Sequence, residues 1–150
     1  MKLAEALILR ADLQTRLEQL RSRLKDNALV QEGERPAEDP KTMLIELEEG
    51  TAKLETLIAR INLTNAAVTV EGKTLTELLA RREVLTMKIS IFQSLLDTAG
   101  KTVMRGSRME VKIHSTVDVA AVRKRADDLS KELRKLDTEI QRTNWVTDLI

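Results

Sequence analysis

The sequence predicts a mainly α fold in which long antiparallel helices pack much as in a four-helix bundle, together with a small two-stranded β ribbon. Three observations predict it: an aliphatic repeat in four separate segments, glycine and proline between some of those segments, and two short stretches of β-branched residues. A spacing of about 3.5 residues places apolar side chains on one stripe of a helix, which leaves water only against other helices. At 150 residues the chain suits one helical domain over residues 1–150.

The first helix is predicted over about residues 2–26. Its stripe consists of Leu3, Ala6, Arg10, Leu13, Leu17, Leu20 and Leu24. Residues 27–39 are predicted to form a connector, because Gly33 and Pro36 interrupt any helical pattern. We interpret the acidic residues of the connector as a solvated surface, since they lack the ligand spacing of a dedicated Ca²⁺ loop.

The second helix is predicted over about residues 40–65. Asp39 suits the N-cap, and Pro40 suits the first turn, where a missing N–H is not needed for a hydrogen bond. The predicted stripe consists of Leu44, Leu47, Thr51, Leu54, Ile58 and Ile61.

The third helix follows a predicted strand. Alternating β-branched residues over 66–71 indicate the strand, and Gly72 supplies a turn. Thr74 and Glu77 have the spacing of a capping box, which begins a helix that stops at Gly100. Its predicted stripe consists of Leu75, Leu78, Arg82, Leu85, Ile89, Phe92, Leu96 and Ala99.

Residues 101–117 are predicted to be a loop and a second strand, because apolar and polar residues alternate from 108 to 117. We expect this strand to pair with the one before Gly72. Asp118 then caps a fourth helix that continues to about Trp145. Its predicted stripe consists of Val119, Val122, Ala126, Leu129, Leu133, Leu136 and Ile140.

Composition excludes several classes of protein. Charged residues make up 33% of the chain but cancel to a net charge of +1, which argues against a nucleic-acid partner. The two aromatic residues, Phe92 and Trp145, provide no platform for stacking bases. Zero cysteine excludes disulfides, thiolate zinc sites and a thiol nucleophile. The sequence shows neither an export signal nor an apolar run of about 18 residues, so we expect a cytoplasmic protein without stable membrane insertion.

Reactive groups form no recognisable array, so the sequence predicts no catalytic residue, no metal site and no cofactor. His114 is the sole histidine, and a ligand or proton-relay role with Glu110 is the less favoured interpretation. A basic strip nearby either contacts phosphate or, as we favour, is simply solvated. The strip consists of Lys101, Arg105, Arg108 and Lys112.

Polar residues on or near the stripes are the best candidates for a site. We call them the polar cluster, which consists of Arg10, Asn62, Asn65, Arg81 and Arg82. If the stripe arginines face the core they need carboxylate partners such as Asp137, and such pairs can fix helix register. The alternative is a polar ligand pocket at a subunit junction. Trp145 is predicted to be an interface anchor.

Blocks spread over nearly the whole chain resemble a known group of proteins. They are LAEAL at 3–7, RADLQ at 10–14, NALVQEGE at 27–34, EDP at 38–40, RINLTN at 60–65, LLARRE at 78–83 and LDTEIQRTNW at 136–145. In these blocks the chain resembles the septicolysin-like bacterial proteins of unknown function. The resemblance implies a helical subunit of a homo-oligomer, with a hexamer suspected, and no established reaction.

Three functional hypotheses follow. The favoured one is a non-enzymatic homo-oligomeric assembly protein, because the stripes along four helices exceed what one copy is expected to bury. The first alternative is an enzyme or a small-ligand- or metal-binding protein that uses the polar cluster. The second is a membrane-active, cytolysin-like protein, although a strand over 108–117 is short for a pore-forming hairpin.

Overall fold

A computed structural model describes residues 1–101 and 112–150 and shows a mainly α protein, as predicted. The helices of this part of the chain are α1 (Leu3–Asp26), α2 (Pro40–Ala67), α3 (Leu75–Ala99) and α4 (Val119–Val146). Each begins and ends within two residues of its predicted bounds. Residues 27–39 form the predicted connector without helix or strand.

The helix starts follow the predicted capping chemistry. The Asp39 Oδ1 atom accepts a hydrogen bond from the Lys41 amide at 3.0 Å, and Pro40 is the first residue of α2. The Asp118 Oδ1 atom accepts from the Ala121 amide at 3.0 Å. These contacts satisfy amide groups that have no partner within the helix.

The β ribbon is present, but its second strand is not the predicted one. Strand β1 (Thr69–Val70) pairs in antiparallel fashion with β2 (Lys73–Thr74). Glu71 and Gly72 both have positive φ, of 50° and 81°, as a tight two-residue hairpin turn requires.

The prediction that residues 108–117 pair with the first strand was therefore wrong for the part that can be assessed. Residues 112–117 form neither helix nor strand, and residues 108–111 lie outside the described residues. The physical reason is local. Closing a hairpin with a two-residue turn costs far less conformational entropy than pairing with a strand that lies beyond a 25-residue helix in the chain.

The chain divides into two compact units. The first contains Met1–Leu75 and Arg142–Ile150, and the second contains Thr76–Gln141. Buried apolar side chains of the first unit are Leu3, Ala4, Ala6, Leu20, Met43, Leu57, Ile61, Leu75 and Leu149. Those of the second are Leu78, Leu85, Ile89, Ala126, Leu129, Leu136 and Ile140.

The buried face of α2 differs from the predicted stripe. Leu44 is 50% exposed, whereas the preceding Met43 is buried. Gly50 lies on the observed face, where an added Cβ would be 3.0 Å from the Leu17 Cδ2 atom of α1. Because glycine permits this close approach, Gly50 faces α1 and the predicted position Thr51 is exposed.

Candidate functional site

Two members of the predicted polar cluster are held by carboxylates of α4 within the second unit. Arg81 forms an ion pair with Glu132, and the Arg82 Nη1 atom lies 3.7 Å from the Asp137 Oδ1 atom. Asp137 is the partner that the sequence suggested for a stripe arginine. Exposed ion pairs of this kind add little stability. Each of them nevertheless links a residue of α3 to a particular position along α4.

The other three members belong to the first unit. Arg10 and Asn65 are partly buried, and Asn62 is exposed. Within residues 1–101 and 112–150, no hydrogen bond or ion pair joins any of the three to another. A ligand site shared by these residues stays a prediction.

A polar contact that the sequence did not reveal fastens the connector to α1. The Arg23 Nη2 and Nε atoms donate to the two carboxylate oxygens of Glu38, at 2.6 and 3.0 Å. The Glu38 amide donates to the Asn27 Oδ1 atom at 2.9 Å. Hydrogen bonding from Arg23 lowers the pKa of the Glu38 carboxyl below its ordinary value. Glu38 is a structural anchor here, although its acidic neighbours suggested a merely solvated residue.

A second set of contacts joins the end of α2 to the last residue of the chain. Thr64 is fully buried, and its hydroxyl donates to the Arg60 carbonyl at 2.8 Å while accepting from the Ile150 amide at 3.1 Å. The Arg60 Nε atom donates to the Ile150 carbonyl oxygen at 2.6 Å. A threonine with one hydrogen bond in its own helix and another to a distant segment fixes the path of that segment.

The residues after α4 also lie against the start of α1. The Leu3 amide donates to the Thr147 carbonyl, and the Leu149 amide donates to the Met1 carbonyl, both at 2.9 Å. The Lys2 Nζ atom lies 2.9 Å from the Asp148 Oδ1 atom, and the hydrogen bond between these groups lowers the pKa of Asp148. We call the contacts of residues 147–150 with α1 and α2 the terminal clasp.

Helix α3 carries a second apolar stripe on the side away from its buried residues. We call it the outer stripe: Val84, Met87, Ile91 and Leu95, whose residues are between 39% and 63% exposed. At about 100° per residue these positions lie on one face, whose centre is about 135° round the helix from that of the buried Leu78, Leu85 and Ile89. One apolar face of α3 is buried within its unit, and the second apolar face is available to pack against another partner.

A second set of exposed apolar residues, which we call the apolar patch, lies in the first unit at and after the end of α4. Trp145 is 55% exposed, and Val146 and Ile150 are exposed as well. The indole ring predicted to anchor an interface is thus accessible.

The remaining candidates from the sequence are the histidine, the basic strip, a metal site and a membrane-spanning helix. His114 is exposed, and Glu110, its predicted neighbour, lies outside them, as do Arg105 and Arg108 of the basic strip. In the part of the chain that the structure describes, no group of three or more His, Cys, Asp or Glu side chains is placed to hold a metal ion. Of the helices described, none has the length and apolar character needed to cross a bilayer.

Comparison with known proteins places this architecture in a family. Residues 10–149 match the model of a family of unknown function (DUF6847). The chain belongs to this family. The fold is also that of a crystal structure of a functionally unknown conserved protein from Corynebacterium diphtheriae, which is 44% identical, with a TM-score of 0.93. That match covers 100% of this chain and 99% of the other.

A search of curated proteins found no match. The family match agrees with the prediction of a family of unknown function, but nothing in the comparisons supports the septicolysin-like naming. The function must therefore be inferred from features of this chain itself, namely its outer stripe, its terminal clasp and its apolar patch.

Proposed function

We propose that this protein is a non-enzymatic subunit that assembles with copies of itself. The outer stripe of α3 is the observation that carries the proposal. Four large apolar residues are exposed on a helix that already supplies a different face to the core of its unit. Contiguous exposed apolar patches of this kind mark surfaces that bind other macromolecules.

The patch around Trp145 supports the same proposal. Trp145 and Val146 are exposed at the end of α4, and the terminal clasp fixes the backbone that follows them. Anchoring the segment reduces the conformational entropy that it would lose on binding. An exposed tryptophan on a fixed backbone has the properties of an interface hot spot.

A ligand-binding function has weaker support. Arg81 and Arg82 already engage Glu132 and Asp137, and this favours the assignment of these arginines to helix register. The absence of cysteine fits a cytoplasmic setting, which stays a prediction together with the hexameric state. The septicolysin-like relation and a membrane-active function gain no supporting observation.

Size-exclusion chromatography with light scattering tests the proposal. One chain has a mass of 16.9 kDa, so we expect a species with a mass of two or more chains that dissociates on dilution. Small-angle scattering on the same fractions checks that the larger mass belongs to a defined assembly rather than to an aggregate. A mass of one chain across the whole concentration series would contradict self-assembly.

A further inference from the structure

The charges that flank the outer stripe differ on its two sides. Lys88 and Arg81 lie along one edge of Val84, Met87 and Ile91, as the 100° rotation per residue of a helix requires. Glu83 lies along the other edge. The stripe therefore has a basic border and an acidic border within the same two turns of α3.

These borders distinguish the two ways in which identical helices can pair. In a parallel pair, the acidic border of each copy meets the basic border of the other. A residue of the acidic border then contacts the residue five positions later in the basic border of the second copy. Glu83 then faces Lys88 of the second copy, and symmetry repeats the contact. In an antiparallel pair centred near Met87, like borders meet, which brings Lys88 close to Lys88 of the second copy.

Both charged residues are available for such contacts. Glu83 and Lys88 are exposed, and within residues 1–101 and 112–150 neither forms an ion pair. Arg81, by contrast, already pairs with Glu132. Glu83 and Lys88 thus have no ion-pair partner among the described residues, and they stand in the register that the parallel arrangement needs.

We propose that the outer stripe binds the outer stripe of a second copy in a parallel, two-fold arrangement, with Glu83 of each copy paired to Lys88 of the other. This inference rests on the proposed self-assembly and specifies one of its contacts. The occupant is a second copy, because the stripe and its two borders complement themselves under a two-fold axis. The stripe from Val84 to Leu95 is only about 18 Å long, so the assembly also needs contacts elsewhere.

Cysteine cross-linking tests the orientation, since the natural chain contains no cysteine. We would prepare V84C and I91C, and use T86C as a matched exposed control on the side of α3 away from the stripe. With a short bismaleimide, the parallel arrangement predicts covalent dimer from V84C alone and from I91C alone. T86C should remain monomeric on a denaturing gel.

Three other outcomes have separate meanings. Cross-linking only in a mixture of V84C and I91C would show antiparallel pairing and overturn the inference. No cross-linking of either variant in a sample that light scattering shows to be oligomeric would also overturn it, while leaving self-assembly intact. A monomer in both experiments would contradict the proposed function itself.

Charge reversal tests the predicted pair independently of the cysteines. E83K and K88E should each weaken self-association by about three- to tenfold, because each replaces two attractive contacts with two repulsive ones. The double variant E83K/K88E should restore association to near the natural value. Circular dichroism would check that all three variants stay folded. Failure of the double variant to recover would exclude the pair.

Discussion

The two units of the protein use polar contacts differently. In the first, directed hydrogen bonds fix irregular segments: Arg23 holds Glu38 of the connector, and Thr64 holds Ile150. In the second, the two ion pairs described link one regular helix to another, from Arg81 and Arg82 to α4. In the first unit the polar contacts thus hold segments that lack an apolar repeat, whereas in the second they align helices that apolar stripes already bring together.

Changes in the cores should cause the largest loss of stability, and both units should respond alike. Leu20→Ala in the first unit and Leu129→Ala in the second each remove a fully buried side chain. We expect each change to lower the free energy of unfolding by about 2–5 kcal/mol, since it leaves a cavity in a packed interior. Urea unfolding followed by circular dichroism measures this, and a loss below about 1 kcal/mol in either unit would contradict the assigned core.

The next effect concerns the terminal clasp. Thr64→Val keeps the shape of the side chain but removes the acceptor for the Ile150 amide, and we expect a loss of about 1 kcal/mol. Thr56→Val is the matched control, because the Thr56 hydroxyl is exposed and bonds only the Ala52 carbonyl of its own helix among the contacts described. Equal losses in the two variants, measured by urea unfolding, would show that the clasp contributes nothing.

A smaller, pH-dependent effect is expected at the connector. The pKa of Glu38 is lowered in the folded protein, so its stabilising contact is present above the ordinary pKa range of glutamate. Stability is lost as the pH falls through that range toward the lowered folded value. Glu38→Gln should therefore be less stable than the natural protein at neutral pH, and the gap should close in acid.

Unfolding curves at a series of pH values compare the two proteins. Arg23 does not contribute to the titration, because its already high pKa is raised further by Glu38. A gap between the natural protein and Glu38→Gln that widens in acid would refute the assignment.

Changes in the outer stripe should affect subunit stability least, unlike changes in the cores. Ile91→Ala shortens a side chain that is 60% exposed, so the unfolding free energy of a dilute sample should change by about 0.5 kcal/mol or less. The same change should weaken self-association in light scattering. A large loss of stability at high dilution would mean that Ile91 belongs to the core.

The sequence predicted regular structure well, because its signals are local. Asp39 with Pro40 and Asp118 mark helix starts, and Gly100 marks a helix end, through chemistry that acts within one turn. The buried stripes of α3 and α4 were also predicted correctly at positions such as Leu85 and Leu129. Periodicity decides these residues before any tertiary contact is known.

Features that depend on distant segments were not predictable in this way. The observed face of α2 includes Gly50, which Leu17 of another helix approaches closely. The two-residue hairpin was missed for a local reason, because it needs positive φ at Glu71, a residue that seldom marks such turns. The contacts of Glu38 and Thr64 require the paths of irregular segments. The outer stripe was visible in principle, because its apolar residues repeat at helical spacing, but the buried stripe on the same helix accounts for that period equally well.

The approach of α1 to α2 at Gly50 also makes two positions depend on each other. Glycine in a helix interior is less favourable than alanine by about 1 kcal/mol. Alanine at this position would nevertheless press its methyl group against the Leu17 side chain, with 3.0 Å between the two carbons. Glycine at position 50 thus lowers the intrinsic helix stability of α2 but allows α2 to lie closer to α1. In a protein of this family that carries a larger residue at 50, the side chain at 17 must move aside or be smaller for the two helices to keep the same spacing.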